Sequence, residues 1–188
     1  MMNALANTAR ILRLYTIALW VGGLVFFVVV AQVAFSTLPS THEAGMVVRG
    51  SLLMLHNIGT IAGFIYLIFT LLLLGLGDRR KARFAELAFV AAMIGLTSYS
   101  QFSIIPRMEQ DRASLGGEVD ASPADAPAHL DFNRLHHLST NVEGGVLLCG
   151  LIVLALAAVP AKPNPYSLFP IPCISTPPAA SPCTHRAR

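Results

Sequence analysis

Charge is what this chain has least of. Of 188 residues, 13 are Lys or Arg and 10 are Asp or Glu, so 12% carry a formal charge, against about 25% in an ordinary soluble domain. The hydrophobic share is 54% and the mean hydropathy is +0.62. So few charges cannot keep that much apolar surface in water, which excludes a disordered polypeptide, a coiled coil and an ordinary soluble enzyme. Cysteine is also scarce: Cys149, Cys173 and Cys183 are the whole set. None falls on the side expected to be oxidising, so no structural disulfide is expected, and Cys-x9-Cys in a proline-rich tail is a poor metal motif. No glycine-rich phosphate loop follows a strand, no His-Glu-x-x-His occurs and no serine occupies a nucleophile elbow.

The apolar residues are gathered into blocks. Residues 14–42, 50–77, 87–106 and 144–161 contain no Asp, Glu, Lys or Arg. A hydrocarbon core about 30 Å thick takes roughly 20 helical residues, so the first three blocks suffice as they stand. The fourth suffices if its helix starts near His136 and carries Glu143 into the membrane. The first block is too long for a cleaved signal sequence, so a retained helix is expected. The reading is an all-α polytopic four-helix bundle over residues 9–159, with spans near 14–36, 52–76, 85–105 and 136–159. Pro106 is expected to end the third span, and a short helix to restart near Pro127 and run into the fourth.

Four spans place both ends of the chain and the middle loop on one side. That side carries nine basic residues, among them Arg10, Arg13, Arg79, Arg80, Lys81 and Arg83, and the other carries four, Arg49, Arg107, Arg112 and Arg134. The asymmetry predicts cytoplasmic termini in the inner (plasma) membrane. The net charge of +3 reflects this bias and not a nucleic-acid partner. Trp20 and Tyr15 read as interfacial anchors. Eight of the twelve prolines lie in residues 160–188, which predicts a disordered tail or read-through sequence.

Polar residues within the spans concentrate in the outer half. Span two opens with His56-Asn57, span three closes with Thr97-Ser98-Tyr99-Ser100-Gln101, span one supplies Gln32, and span four opens with His136, His137, Ser139, Thr140, Asn141 and Glu143. His136, Thr140 and Glu143 share one helical face, with His137 and Asn141 on the adjacent stripe. A carboxylate near the middle of a lipid-embedded helix costs on the order of 3 kcal/mol, so Glu143 should face the bundle, with His136, His56, the span-three hydroxyls or Arg107 as partner. The ligand candidates are His56, Asn57, Gln101, His136, Thr140, Asn141 and Glu143. A copper or zinc site would draw on His56, His136, His137 and Glu143, and haem b on His56 with His136. The alternative to any ligand is that these groups only bond helix to helix. Glu109 and Asp111 read as solvated. Small-residue pairs (Ala18 with Gly22, Gly59 with Gly63, Ala91 with Gly95, Gly144-Gly145) mark packing seams within a tight bundle, or toward a second copy or a membrane partner.

Three stretches carry a resemblance. Leu19-Trp20-Val21-Gly22-Gly23-Leu24-Val25-Phe26-Phe27, Ile105-Pro106-Arg107-Met108 and Phe132-Asn133-Arg134-Leu135-His136-His137-Leu138-Ser139 resemble the transmembrane protein 205-like family, over about residues 9–159. The resemblance implies a bacterial four-span inner-membrane protein of unknown activity and singles out Pro106, His136 and Ser139 as motif positions without assigned roles. A eukaryotic relative is linked to drug resistance and secretory trafficking. A fainter similarity to copper-resistance membrane proteins accompanies it. The functions weighed are a non-enzymatic protein handling a small solute or ion, a haem- or copper-binding redox or metal-resistance protein, and a structural membrane subunit.

Overall fold

The computed structural model of the protein describes residues 2–77 and 80–159. The expectation of a disordered tail over 160–188, with Cys173 and Cys183, lies outside the described residues. All the regular structure described is helical: α1 (Met2–Thr37), α2 (Thr41–Gly75), α3 (Arg80–Tyr99), a π-turn (Ser100–Ile104), α4 (Ile105–Ser114) and α5 (Pro127–Ala158). Four helices, counting α3 through α4 as one rod, are long and apolar enough to cross a membrane. The protein is a multi-pass membrane protein.

Local signals set the helix ends. The Ser40 hydroxyl accepts the Glu43 N–H at 3.1 Å and caps α2, the arrangement its Ser-x-x-Glu spacing favours. At the end of α4, Gly116 and Gly117 take positive φ of 76° and 98°, and the Gly117 N–H returns to the Arg112 carbonyl at 2.9 Å, a left-handed stop that glycine adopts without strain. Pro127 opens α5, which runs unbroken through the fourth apolar block.

Pro106 does not end the third helix. It stands in the first turn of α4, directly after the π-turn, where the Ile105 N–H reaches the Ser100 carbonyl five residues back. A proline inside an α-helix lacks a donor and pushes its ring against the carbonyl four residues earlier. A widened turn just before it relieves both conflicts, so the rod continues to Ser114.

Contacts of α1 with α2, α2 with α3, α3 with α5 and α5 with α1 close a four-helix ring, and α4 packs on α5. Ile17, Trp20, Val21, Leu24, Ala62, Tyr66, Val90, Met93, Val146 and Val153 fill its core. Trp20 is not an interfacial anchor: it is 1% exposed, whereas Tyr15 is 71% exposed. The missing side chains of Gly59 and Gly63 make the room, since a Cβ at Gly63 would come within 2.6 Å of the indole. Gly23 meets Leu55 and Gly150 meets Val21 equally closely, at 2.7 and 2.5 Å. Among the described residues Gly22, Gly95 and Gly144 have no heavy atom within 4 Å of a Cβ position, so of the Gly144-Gly145 seam Gly145 alone makes a contact, with Leu96.

Candidate functional site

The core contacts fix the level of each polar residue. Gly63 of α2 abuts Ile94 of α3 and Asn57 of α2 meets Gln101, while Gly145 and Gly150 of α5 abut Leu96 and Met93. Both α2 and α5 therefore run antiparallel to α3. In this register Glu143 stands level with Thr97 to Ser100, and His56 stands beside the π-turn.

His56 and Glu143 are the centre of this arrangement. His56 Nε2 lies 2.8 Å from Glu143 Oε1, with the imidazole fully buried and the Glu143 side chain 14% exposed. One of the partners expected for Glu143 is thus the real one. One helical step away, Gln101 Nε2 donates to Asn57 Oδ1 at 3.2 Å and ties the π-turn to α2. Among the described residues, four buried polar atoms of these elements have no hydrogen-bond partner: His56 Nδ1, Glu143 Oε2, Thr97 Oγ1 and Ser100 Oγ.

The helical hydroxyls divide: some bond back to their own helix and others, Thr97, Ser100, Ser51, Thr60, Ser98, Ser103 and Ser139 among them, do not, within the described residues. Thr16, Ser36, Thr37, Thr70 and Thr140 each donate to a backbone carbonyl three or four residues earlier, the usual way a helical hydroxyl satisfies itself in an apolar medium. Thr97 and Ser100 are 1% and 0% exposed and make no such bond. Buried polar atoms in native proteins are overwhelmingly paired, so a group left over at one level calls for an occupant.

A cavity of about 440 Å³ opens beside this level, lined by Arg49, Leu53, Gln101, Ile105, Pro106, Glu109, Gln110 and Ala113. Glu109 is not simply solvated: its Oε2 lies 3.0 Å from Arg49 Nε and 3.5 Å from Arg112 Nη1, bridging α2 and α4 at the cavity rim. Asp111 likewise has a buried, unpartnered Oδ2. The Arg112 guanidinium lies over the Phe132 ring and holds α4 against α5.

Other candidates stand apart. His136 and His137 are exposed and meet edge to face at 6.2 Å, about 10 Å along α5 from Glu143 by helical rise. Thr140 bonds back to the His136 carbonyl, and Asn141 and Gln32 are exposed. Ser139 is buried on α5, and Pro106 is exposed at the cavity wall. The four-residue metal set is not assembled, because the α5 helical period turns the His136-His137 pair away from the bundle. Among the described residues no group of three His, Cys, Asp or Glu is placed to hold a metal ion.

At the opposite end lies a cluster that the sequence reading missed. Glu86 is fully buried and takes both Arg83 and Arg13. Arg83 Nη1 donates to its two oxygens at 2.8 Å, and Arg13 Nη1 donates to Oε2 and to the Tyr66 hydroxyl, the latter at 3.0 Å. The Arg13 guanidinium also lies 5.4 Å from the Tyr66 ring centre. Arg13 and Arg83 read as topology markers in the sequence. The overlooked signal is Glu86, one acidic residue three positions after Arg83 at the mouth of an apolar span.

Residues 15–114 match the model of a family described as a domain of unknown function, DUF4149. The chain belongs to that family. The DUF4149 match covers most of α1 and all of α2 to α4, so it includes His56, Thr97, Ser100 and Gln101, while Glu143 lies beyond it. Comparison with curated proteins and with solved structures gave no match.

Proposed function

We propose that this multi-pass membrane protein handles a small solute or ion through the polar cluster of α2, the π-turn and α5, with His56 and Glu143 as its protonatable centre. The observation that carries the reading is the buried His56–Glu143 contact, with a spare atom on each partner and two unpartnered buried hydroxyls, Thr97 and Ser100, on α3 and the π-turn. An ionisable pair inside a spanning bundle is a functional feature by default. The 440 Å³ cavity beside Gln101 offers an approach from the loop-bearing end. That end faces outward and both termini face the cytoplasm of the inner membrane, by the excess of Arg and Lys at the start of α1 and α3. The resemblance to the transmembrane protein 205-like family fits this topology and adds no mechanism.

The test is ¹⁵N NMR of the histidines in the full chain in lipid nanodiscs. At constant pH the His56 ring signals should show a hydrogen bond that Glu143→Gln removes, and should shift when a small solute or ion is added. A His56 ring that keeps one state throughout would reduce the pair to a helix clamp.

One observation favours a structural subunit as the second reading. Gly22, Gly95 and Gly144 leave small-residue faces uncovered, the kind of surface on which membrane helices associate. Cysteine cross-linking of neighbouring copies through position 22 would support it.

A further inference from the structure

The polar cluster leaves the basic end of the bundle unaccounted for. We infer that the cleft of Arg10, Arg13 and Arg83 at that end binds an anionic phosphate group, carried by an acidic phospholipid or free in solution. Nothing in this depends on the reading of His56 and Glu143.

The cleft, about 210 Å³, lies where the first part of α1, the start of α3 and the end of α5 meet, and the three arginines line it together. Basic residues at the entry of a spanning helix ordinarily mark topology and keep their charged heads in water. Arg13 and Arg83 do not, each being 2% exposed. A guanidinium brought that far in carries five N–H donors that need acceptors. Arg13 reaches Glu86 and the Tyr66 hydroxyl through Nη1, and among the described residues its buried Nε has no partner. Glu86 is already committed, since Arg83 bonds both its oxygens and Arg13 shares one of them.

The charge of the whole end points the same way. Residues 1–14 and 76–86 carry six basic side chains and two acidic ones, Asp78 and Glu86. However these groups pair, cations stay in excess, so the cleft draws an anion by their summed field and not by one unpaired group.

The donors and their place decide the chemical class. The arginine fork matches the oxygens of a phosphate, and its weak hydration suits a narrow recess. A metal cation would meet three positive charges. Ile11 and Leu14 line the same cleft and are exposed beyond it, so its edge is apolar where α1 passes into lipid. Basic pockets between spanning helices are where acidic headgroups bind. The competing use of these arginines is to cap the carbonyls at the end of α5, whose Ala157 and Ala158 also line the cleft. Capping alone needs no phosphate.

The experiment uses the full chain in a neutral detergent. Native mass spectrometry counts the phosphatidylglycerol it retains, against phosphatidylcholine, whose phosphate carries its own cation. Trp20 fluorescence follows the unfolding midpoint as sodium phosphate is added, against sodium chloride at equal ionic strength. Phosphatidylglycerol should stay bound and phosphatidylcholine should not. Arg10→Gln should weaken that binding about fivefold, the worth of one basic side chain to an anionic headgroup. Arg13→Lys, which keeps the charge and loses the fork, should weaken it further; if that variant fails to fold, Arg10→Gln carries the test. Lys81→Gln, an exposed charge at the same end that does not line the cleft, should leave binding unchanged. A midpoint raised by phosphate beyond chloride, with no lipid retained, supports the site and makes free phosphate its ligand. Equal losses in Arg10→Gln and Lys81→Gln overturn the cleft in favour of diffuse attraction. No retained phosphatidylglycerol and no phosphate effect overturn the site and leave the arginines as caps of α5.

Discussion

Replacing Glu86 by glutamine tests whether the buried cluster at the basic end holds the helices together. Glu86 is fully buried and accepts from Arg13 of α1 and twice from Arg83, while Arg13 also reaches Tyr66 of α2. Glutamine keeps one acceptor, turns an amide N–H₂ toward the guanidiniums and removes the carboxylate that Arg13 and Arg83 share. Removing one member of a buried pair costs about 3–5 kcal/mol, because the other charge stays behind. A cleft of about 210 Å³ lined by Arg10, Arg13 and Arg83 gives water a way to the guanidiniums. That favours the lower end, about 3 kcal/mol, on the order of 150-fold in the folding equilibrium. Reversible unfolding in mixed micelles, followed by the fluorescence of Trp20, reads it directly, since this single tryptophan is 1% exposed in the core. Glu109→Gln is the control, because the Arg49 and Glu109 side chains are 35% and 40% exposed, and such pairs are worth less than about 1 kcal/mol. A Glu86→Gln loss as small as the control's would refute the reasoning, by showing the cluster to be as well solvated as a surface pair.

Further tests follow from the same contacts. Gly63→Val should cost about 1–3 kcal/mol and shift Trp20 emission to longer wavelength, since the indole occupies that space, whereas Gly22→Ala should change stability by less than about 0.5 kcal/mol. A double-mutant cycle of His56→Leu and Glu143→Leu should give a coupling of about 1–3 kcal/mol, with the double variant more stable than Glu143→Leu's loss alone would suggest. Cysteines at Asn57 and Gln101, in a Cys149→Ser background, should join through a short bifunctional maleimide, and cysteines at Asn57 and Asn141 should not. In intact cells a cysteine at Arg80 should resist a membrane-impermeant thiol reagent while one at Asp120 reacts.

The spans were legible because a bilayer imposes a blunt requirement: some twenty residues without charge. Their true length was not. α2 runs 35 residues from Thr41 to Gly75, since helix continues past the lipid boundary wherever caps and packing allow. The proline at 106 misled for a local reason. Its helix-breaking force depends on the hydrogen-bond period of the preceding turn, and a π-turn leaves no composition signature. Trp20 misled for a tertiary one. An indole near a helix start belongs at an interface unless the facing helix offers a glycine hollow, and that pairing spans some forty residues of sequence.

The site was half legible, and the two ends of the bundle show why. Depth and cost singled out Glu143, and His56 stood among its partners, but helical periodicity alone could not say which stripe of α5 faced inward. Thr140 and Asn141 stand within a turn of Glu143 and His136 about two turns away, and all three side chains are exposed. At the basic end both Glu86 oxygens are taken by arginines. At the polar end one Glu143 oxygen, one imidazole nitrogen and two hydroxyls are spare. Both clusters carry a carboxylate into an apolar bundle at similar expense. A carboxylate whose partners saturate it has what it needs to bind helices to one another, and replacing it should register as stability. A carboxylate left half-satisfied keeps capacity for something else. Replacing Glu143 by glutamine should therefore cost less stability than the same change at Glu86, because water or the amide can take the place of the lost oxygen. The opposite ranking, measured in the same micelles, would assign the ligand role to the wrong end.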